Sequence, residues 1–259
     1  MKFTYNTGKV GSERWNIAQD SEKEFWGEFT EESMKEMKKN YERKTQILFE
    51  RWFEKIKINK NTRILQIGCG PFDIINCIKI GKKYSIDPLS DFYKKRFNFD
   101  YKKANLKKGI GESLPFQDKF FDIVILANVL DHTQSPDKVL SEIKRVLKEE
   151  GVFYIENYFY QETFILLAKI WRFINKKFRK RIFNIHHPYM FSLFELKKII
   201  FKYFIIDKQV IGEDLYSETN NIYDLRKKMM NDKKLIKRIL AVFGLIGGIN
   251  YTAIYRKNN

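Results

Sequence analysis

The chain has 259 residues, 44% apolar and 16% aromatic, with 49 Lys or Arg against 32 Asp or Glu and a formal net charge of +17. That much apolar surface excludes intrinsic disorder as the main state, and the length suits one α/β domain with additions or at most two small domains. Two cysteines, Cys69 and Cys77, exclude a disulfide framework and a cysteine-based zinc site.

The first 15 residues hold no apolar core of a secretion signal, and no apolar run reaches the length of a bilayer span. A reducing, cytosolic compartment is expected. The charge is unevenly spread. Residues 1–159 carry a net +5, residues 160–208 a net +8, residues 209–226 a net −3 and residues 227–259 a net +7. The excess lies in the C-terminal part. An acidic partner would explain it, and so would the joint richness in Lys, Asn, Ile and Phe that an AT-rich genome gives.

Residues 1–20 are polar and lack a clear period. From about Ser21 to Ile58 the pattern is helical, with Phe49, Trp52, Phe53 and Ile56 at helical spacing. Asn59–Asn61 is a break, and Arg63–Ile67 reads as a short buried strand. Gly68-Cys69-Gly70-Pro71 is a turn, with a short helix expected after it to about Ile80. Tyr84–Ile86 is a second strand ending at Asp87-Pro88; residues 89–97 read as helix and residues 105–110 as a weak strand. Phe121–Ala127 is the most apolar strand.

A helix is expected from Pro136 to about Lys148, with Val139, Leu140, Ile143 and Leu147 on one face, closed by Glu150-Gly151 before a strand at Val152–Ile155. Residues 161–181 form a basic, aromatic, amphipathic helix, and Ser192-Leu193-Phe194-Glu195 is a capping box opening another. Phe204–Ile211 and Ile249–Tyr255 read as the last strands. Strands alternating with helices predict an α/β, Rossmann-like, doubly wound and mostly parallel sheet.

Three signals carry chemistry. The strand and turn Ile64–Pro71 place Gly68 and Gly70 where backbone must bend sharply and approach a ligand closely. A third glycine of a dinucleotide fingerprint is missing at Asp73. Asp87 ends the next strand, 19 residues after Gly68. A carboxylate there suits a ribose diol, although a turn aspartate before Pro88 would look the same. The third signal is the ordered run Gly111-Glu112-Ser113-Leu114-Pro115-Phe116, Phe121–Val124, Asn128-Val129-Leu130-Asp131-His132, then Leu140, Ile143, Arg145–Lys148 and Gly151.

This run resembles the class I S-adenosylmethionine-dependent methyltransferases, especially the small-molecule branch that includes the quinone-methylating enzymes. The likeness covers roughly residues 60–157, with weaker agreement at 186–210. It implies a seven-stranded sheet with an antiparallel final strand, and S-adenosylmethionine as cofactor. It also implies that Gly68, Cys69 and Gly70 pass under the methionine part, that Asp87 holds the ribose, that Gly111 and Glu112 lie beside the adenine, and that Asn128 lines the sulfonium region. Three positions depart from the family pattern. Gln66 stands where an acid is usual but can still hydrogen-bond the cofactor; Phe72 replaces a third glycine, and Ile110 an aspartate.

The residues Arg14–Asp20 and Glu24–Trp26 look like the leader of methyltransferases in bacterial surface-polysaccharide pathways, where it folds over the cofactor. The chain then divides into a helical lid, 1–58, and a methyltransferase domain, 59–259, with a helical acceptor-site insertion at about 158–190. A hydroxyl acceptor profits from a general base, and histidine serves at neutral pH. The candidates are the three histidines His132, His186 and His187, with Asp131 beside them. No metal-ligand spacing stands out, so no metal is expected.

Seven basic and no acidic residues fall between Lys169 and Arg181, with Phe164, Leu167, Ile170, Trp171 and Ile174 able to share one face. Such a helix suits the surface of an anionic membrane, RNA, or a plain cover for the acceptor pocket. The reading that follows is methyl transfer to a small-molecule or glycan acceptor, lipid-linked acceptors included, in an O-methyltransferase that is cytoplasmic or peripheral on the inner membrane face. An RNA methyltransferase is a weaker alternative, since no base-methylating motif such as Asn-Pro-Pro-Tyr is present. A non-catalytic cofactor-binding regulator is the other.

Overall fold

A computed structural model describes residues 11–71, 75, 78–97, 105–178, 187–212, 230 and 248–258. Two helices, α1 (Ser12–Gly27) and α2 (Glu31–Trp52), precede the sheet. The sheet comprises β1 (Arg63–Ile67), β2 (Lys82–Asp87), β3 (Leu106–Lys108), β4 (Phe121–Ala127), β5 (Leu147–Phe159), β6 (Phe204–Ile211) and β7 (Ile249–Lys257). Helices α3 (Ser90–Arg96), α4 (Pro136–Val146), α5 (Glu162–Phe178) and α6 (Leu193–Ile200) connect them, with a 3-10 turn at Leu130–His132.

The strand order is β3-β2-β1-β4-β5-β7-β6. The first five strands pair in parallel, and β7 lies antiparallel between β5 and β6. Succession reverses between β1 and β4. The chain leaving β1 and the chain leaving β4 therefore diverge, and a crevice opens at their carboxyl ends.

Alternation along the strands feeds two cores. Leu65, Ile67, Val124 and Leu126 point to the face covered by α4 and α6, where Val139, Leu140, Ile143 and Leu196 are fully buried. Ile64, Ile123 and Ile125 point to the opposite face and pack with Trp52 and Phe53 at the end of α2. Both faces being covered explains why the central strands read as near-continuous apolar runs. A third cluster joins Trp26 and Met34 to Cys69, Leu89, Tyr93 and Phe97, so the N-terminal helices pack against the loops after β1 and β2.

Several expected boundaries move. The helix read from Ser21 to Ile58 is two helices; α1 begins at Ser12, and Thr30, whose side chain accepts from the backbone N–H of Ser33, caps the start of α2. The helix expected to reach Lys148 ends at Val146, because Leu147 turns extended and pairs with Phe121. Strand β5 thus starts five residues before Val152, with a register shift between Phe121 and Ile123 on its neighbour. Among the described side chains of α5, Ile165 and Ala168 are buried, whereas Leu166, Leu167 and Ile170 face outward. The expected apolar face of Phe164, Leu167, Ile170, Trp171 and Ile174 is therefore rotated at Leu167 and Ile170, and the side chains of Trp171 and Ile174 lie outside those described. The helix expected after the glycine turn falls mostly on residues 72–74, 76 and 77, outside the described residues.

Candidate active site

The turn after β1 depends on its glycines. Gly68 and Gly70 have φ of +63° and +61°, a region that side-chain-bearing residues rarely adopt. A Cβ on Gly68 would lie 2.4 Å from a Val129 methyl, so the loop after β4 presses directly on this backbone. A Cβ on Gly70 would meet nothing within 4 Å, because Gly70 borders a cavity. That cavity has a volume of about 390 Å³ and opens at the carboxyl ends of β1, β2, β4 and β5.

Asp87 sits at the tip of β2, 5% exposed. One carboxylate oxygen accepts from the backbone N–H of Gly70 at 2.9 Å and the other from Leu89 at 2.7 Å. These bonds hold the carboxylate against the glycine turn. The same carboxylate lines the cavity.

Gly111 lies against Ile67 and Val139, where a Cβ would come within 3.1–3.2 Å of their methyls. The following loop is tied to α4 by Arg145, which donates to the carbonyls of Leu114 and Phe116, and by Glu142, which accepts from the backbone N–H of Leu114. Glu112 lines the cavity, but one of its oxygens accepts from the backbone N–H groups of Gln134 and Ser135. These bonds hold the two residues that lead into α4, whose N-cap Ser135 makes no side-chain cap bond of its own. Gln66 also borders the cavity, with its side-chain oxygen accepting from the backbone N–H of Ile75. The Cys69 side chain packs in the third core, so only its backbone is suited to a ligand. Asn128 has φ +55°; its amide donates to Glu156 at 3.3 Å, and its side-chain oxygen has no partner.

Two of the three histidines converge. The rings of His132 and His187 lie 4.3 Å apart, and both line the cavity. His186 lies outside the described residues. Nδ1 of His187 is 2.6 Å from the buried carboxylate of Asp131. An ionised carboxylate only accepts, so neutral His187 carries its proton on Nδ1 and leaves Nε2 as the basic nitrogen. The backbone N–H of Tyr189 donates to the Asp131 carbonyl and its hydroxyl to the Gln134 carbonyl, docking the two segments.

Burial disfavours charge on His187, but its hydrogen bond to Asp131 and the negative charges of Asp131 and Glu22 together outweigh that and hold its pKa above the ordinary histidine value. Burial would raise the Asp131 carboxyl; the charge of His132 and the bond from His187 hold it below the usual carboxylate range instead.

Although no metal is expected from the sequence, Asp131, His132 and His187 each place a ligating atom within 4.8 Å of the others. The 2.6 Å separation of Asp131 and His187 is a hydrogen bond. Two ligands around one tetrahedral zinc stand roughly 3.3 Å apart. The cluster as it stands is an oriented histidine with a second histidine beside it.

Helix α1 forms one wall of the cavity. Trp15 donates to the His132 carbonyl at 3.1 Å, Arg14 to the His187 carbonyl at 3.1 Å, and Trp26 to the Glu22 carboxylate at 2.8 Å. Residues the sequence reading missed are Tyr41, Tyr154 and Glu156, all on the cavity. Glu156 carried a legible signal: a lone acid ending the buried run Val152–Ile155, at the same sheet edge as Asp87 and Asn128.

The fold and the crevice at the strand reversal are those of a Rossmann-like α/β domain of the class I methyltransferase type. Residues 65–155 match the family model described as a methyltransferase domain, and they carry a domain of the class I S-adenosylmethionine-dependent methyltransferases. An uncharacterized methyltransferase of Schizosaccharomyces pombe is 34% identical over 108 residues, 36% of this chain and 39% of that protein. The demethylmenaquinone methyltransferase of Lactobacillus johnsonii is 31% identical over 112 residues, 39% of this chain and 46% of that protein. Each match thus spans less than half of the relative.

Among solved structures, a candidate sarcosine dimethylglycine methyltransferase from Galdieria sulphuraria aligns with a TM-score of 0.57 at 13% identity, covering 83% of this chain and 85% of that one. A [4+2]-cyclase aligns with a TM-score of 0.51 at 16% identity, covering 83% and 81%. At such identities the likeness concerns the fold, which supports more than one chemistry.

S-adenosylmethionine is the cofactor this domain class uses. The residues present fit it: a carboxylate on the cavity at Asp87, open space over Gly70, and an unpartnered oxygen on Asn128.

Proposed function

We propose that the chain transfers a methyl group from S-adenosylmethionine to an oxygen of a small-molecule or glycan acceptor. The observation carrying this reading is the Asp131–His187 pair, at 2.6 Å, whose histidine lines the same cavity as the glycine turn and Asp87. The cofactor supplies an electrophilic methyl group on a sulfonium; the protein supplies alignment and a proton acceptor. Gly68, Cys69 and Gly70 offer backbone for the methionine part, with Gln66 beneath them. Asp87 accepts from the ribose, Gly111 and Glu112 border the adenine, and Asn128 lines the sulfonium region. Nε2 of His187 takes the acceptor hydroxyl's proton, and Asp131 holds the ring in the required tautomer and stabilises the imidazolium. His132, against His187, is the alternative base.

Helix α1 serves as a lid. Its Trp15 and Arg14 bond the carbonyls of the two histidines, so its docking is coupled to the position of the base. The leader's likeness to polysaccharide-pathway methyltransferases supports a glycan acceptor.

A lipid-linked acceptor at an anionic membrane surface is favoured by one observation. Leu166, Leu167 and Ile170 are each nearly half exposed on α5, next to exposed Lys169. No helix among the described residues is long and apolar enough to cross a membrane.

Calorimetry with S-adenosylhomocysteine tests the core of the proposal. Binding is expected, and Asp87→Ala should weaken it roughly tenfold or more through loss of charge-assisted hydrogen bonds. Absence of binding, or an affinity untouched by the substitution, would refute it.

A further inference from the structure

We infer that the acceptor carries a cationic amine, and that Glu156 is the group that holds it. This rests on the methyltransferase reading above and adds the charge of the substrate.

Glu156 is 6% exposed and lines the cavity at the carboxyl end of β5. One of its oxygens accepts from the amides of Asn128 and Asn250, at 3.3 and 3.2 Å; the other accepts from the Tyr154 hydroxyl at 3.4 Å. All three donors are neutral. Among the described residues no Lys, Arg or His forms an ion pair with it. A buried carboxylate without a counter-charge is costly, and a cationic ligand supplies the missing charge.

The rest of the cavity agrees. Among the described residues that line it there is no Lys or Arg, in a chain of net charge +17. Its carboxylates are Glu22, Asp87, Glu112 and Glu156. Asp87 and Glu112, equally buried, accept from backbone N–H groups of the glycine turn and of the approach to α4, Glu112 likewise with no ion pair among the described residues, and Glu22 accepts from Trp26. Of the three buried carboxylates, Glu156 alone takes its hydrogen bonds wholly from side chains. Trp15, Trp26, Tyr41 and Tyr154 add aromatic faces, which attract ammonium groups. A phosphate- or carboxylate-bearing acceptor would meet like charge here.

Position separates this group from the cofactor. In the strand order, Asp87 ends β2, Gly68 follows β1, Asn128 follows β4 and Glu156 lies on β5, paired with Ala127. Strands are about 4.8 Å apart, so Asp87 and Glu156 are separated by roughly 14 Å across the sheet edge. With ribose at β2 and methionine over the β1 turn, Glu156 lies beyond the cofactor, on the acceptor side.

The test uses the full chain saturated with S-adenosylhomocysteine and matched hydroxyl probes: tyramine against 4-ethylphenol, and glucosamine against glucose. At least one amine is expected to bind roughly tenfold tighter than its neutral partner, the scale of a charge-assisted hydrogen bond. Glu156→Gln should erase that difference while leaving affinity for S-adenosylhomocysteine within about twofold. Glutamine can keep all three hydrogen bonds, and retained cofactor affinity reports an intact fold.

Equal binding within both pairs, no binding by either amine up to its solubility limit, or persistence of the preference in the Gln variant would overturn the inference. So would a loss of cofactor affinity in Glu156→Gln matching that in Asp87→Ala, which would place Glu156 on the cofactor's own ammonium. Failure of the methyltransferase reading looks different: wild-type protein would not bind S-adenosylhomocysteine at all.

Discussion

At the scale of single residues the chemistry turns on a proton. The proposed transfer to a hydroxyl needs His187 neutral, and Asp131 favours its protonated form. The activity should therefore rise with pH through a midpoint above the ordinary histidine value of about 6.5. In Asp131→Asn the negative charge that helps raise the pKa is gone, and the amide can donate to Nδ1 as well as accept from it, while burial still lowers the pKa. The acid limb should move to lower pH, and the plateau should fall by roughly 10²-fold as the tautomer is no longer fixed. A pH–rate profile checks this, and one unchanged by the substitution would remove His187 from the mechanism.

The same pair has a stability signature of opposite sign for its two members. Because the His187 pKa is raised, its contribution is complete below about pH 6.5 and is lost as pH rises through the folded value. Because the Asp131 pKa is depressed, its contribution is present above about pH 3.9 and is lost as pH falls through the folded value. The pair therefore stabilises most between those limits, as thermal melts across pH would show.

At the scale of elements, some boundaries were legible because their signals are local. The capping box at Ser192 forms as expected: the Ser192 hydroxyl accepts from the Glu195 N–H at 3.3 Å and the Glu195 carboxylate from the Ser192 N–H at 2.9 Å. Ser192→Ala should cost about 1 kcal/mol. For a domain of this size that lowers Tm by about 2–4 °C, and calorimetry or circular dichroism would detect it. An unchanged Tm would mean that packing of Leu196, Ile199 and Ile200 alone fixes this helix end. Other boundaries were not legible. The early start of β5 at Leu147 depends on pairing with Phe121, a partner 26 residues away. The rotation of α5 follows from Ile165 and Ala168 facing inward while neighbours of equal apolarity face out, a choice periodicity does not make.

At the scale of the molecule, the charge is partitioned. The described cavity lining holds carboxylates and no Lys or Arg, whereas residues 160–208 carry a net +8. On that ground the protein should float with vesicles containing anionic lipid and stay behind with neutral ones, and salt should release it. Leu167→Ser together with Ile170→Ser should weaken flotation while leaving S-adenosylhomocysteine binding intact. Equal flotation on neutral and anionic vesicles would exclude an electrostatic contribution. No flotation at all would leave α5 as a cover for the acceptor side.

The sequence by itself determined the alternation of strands and helices, the glycine turn, Asp87 at a strand end and the ordered run that marks the cofactor domain. These are local patterns, set by backbone sterics and by burial of both sheet faces. Only the tertiary structure decided which histidine pairs with an acid, because Asp131 and His187 are 56 residues apart and meet through the docking of Tyr189 on the turn after β4. It also decided that Glu112 holds the approach to α4 and that Glu156 faces the cavity without a counter-charge among the described residues. The meaning of a carboxylate lies in what surrounds it, and the fold assembles those surroundings from segments far apart in the chain.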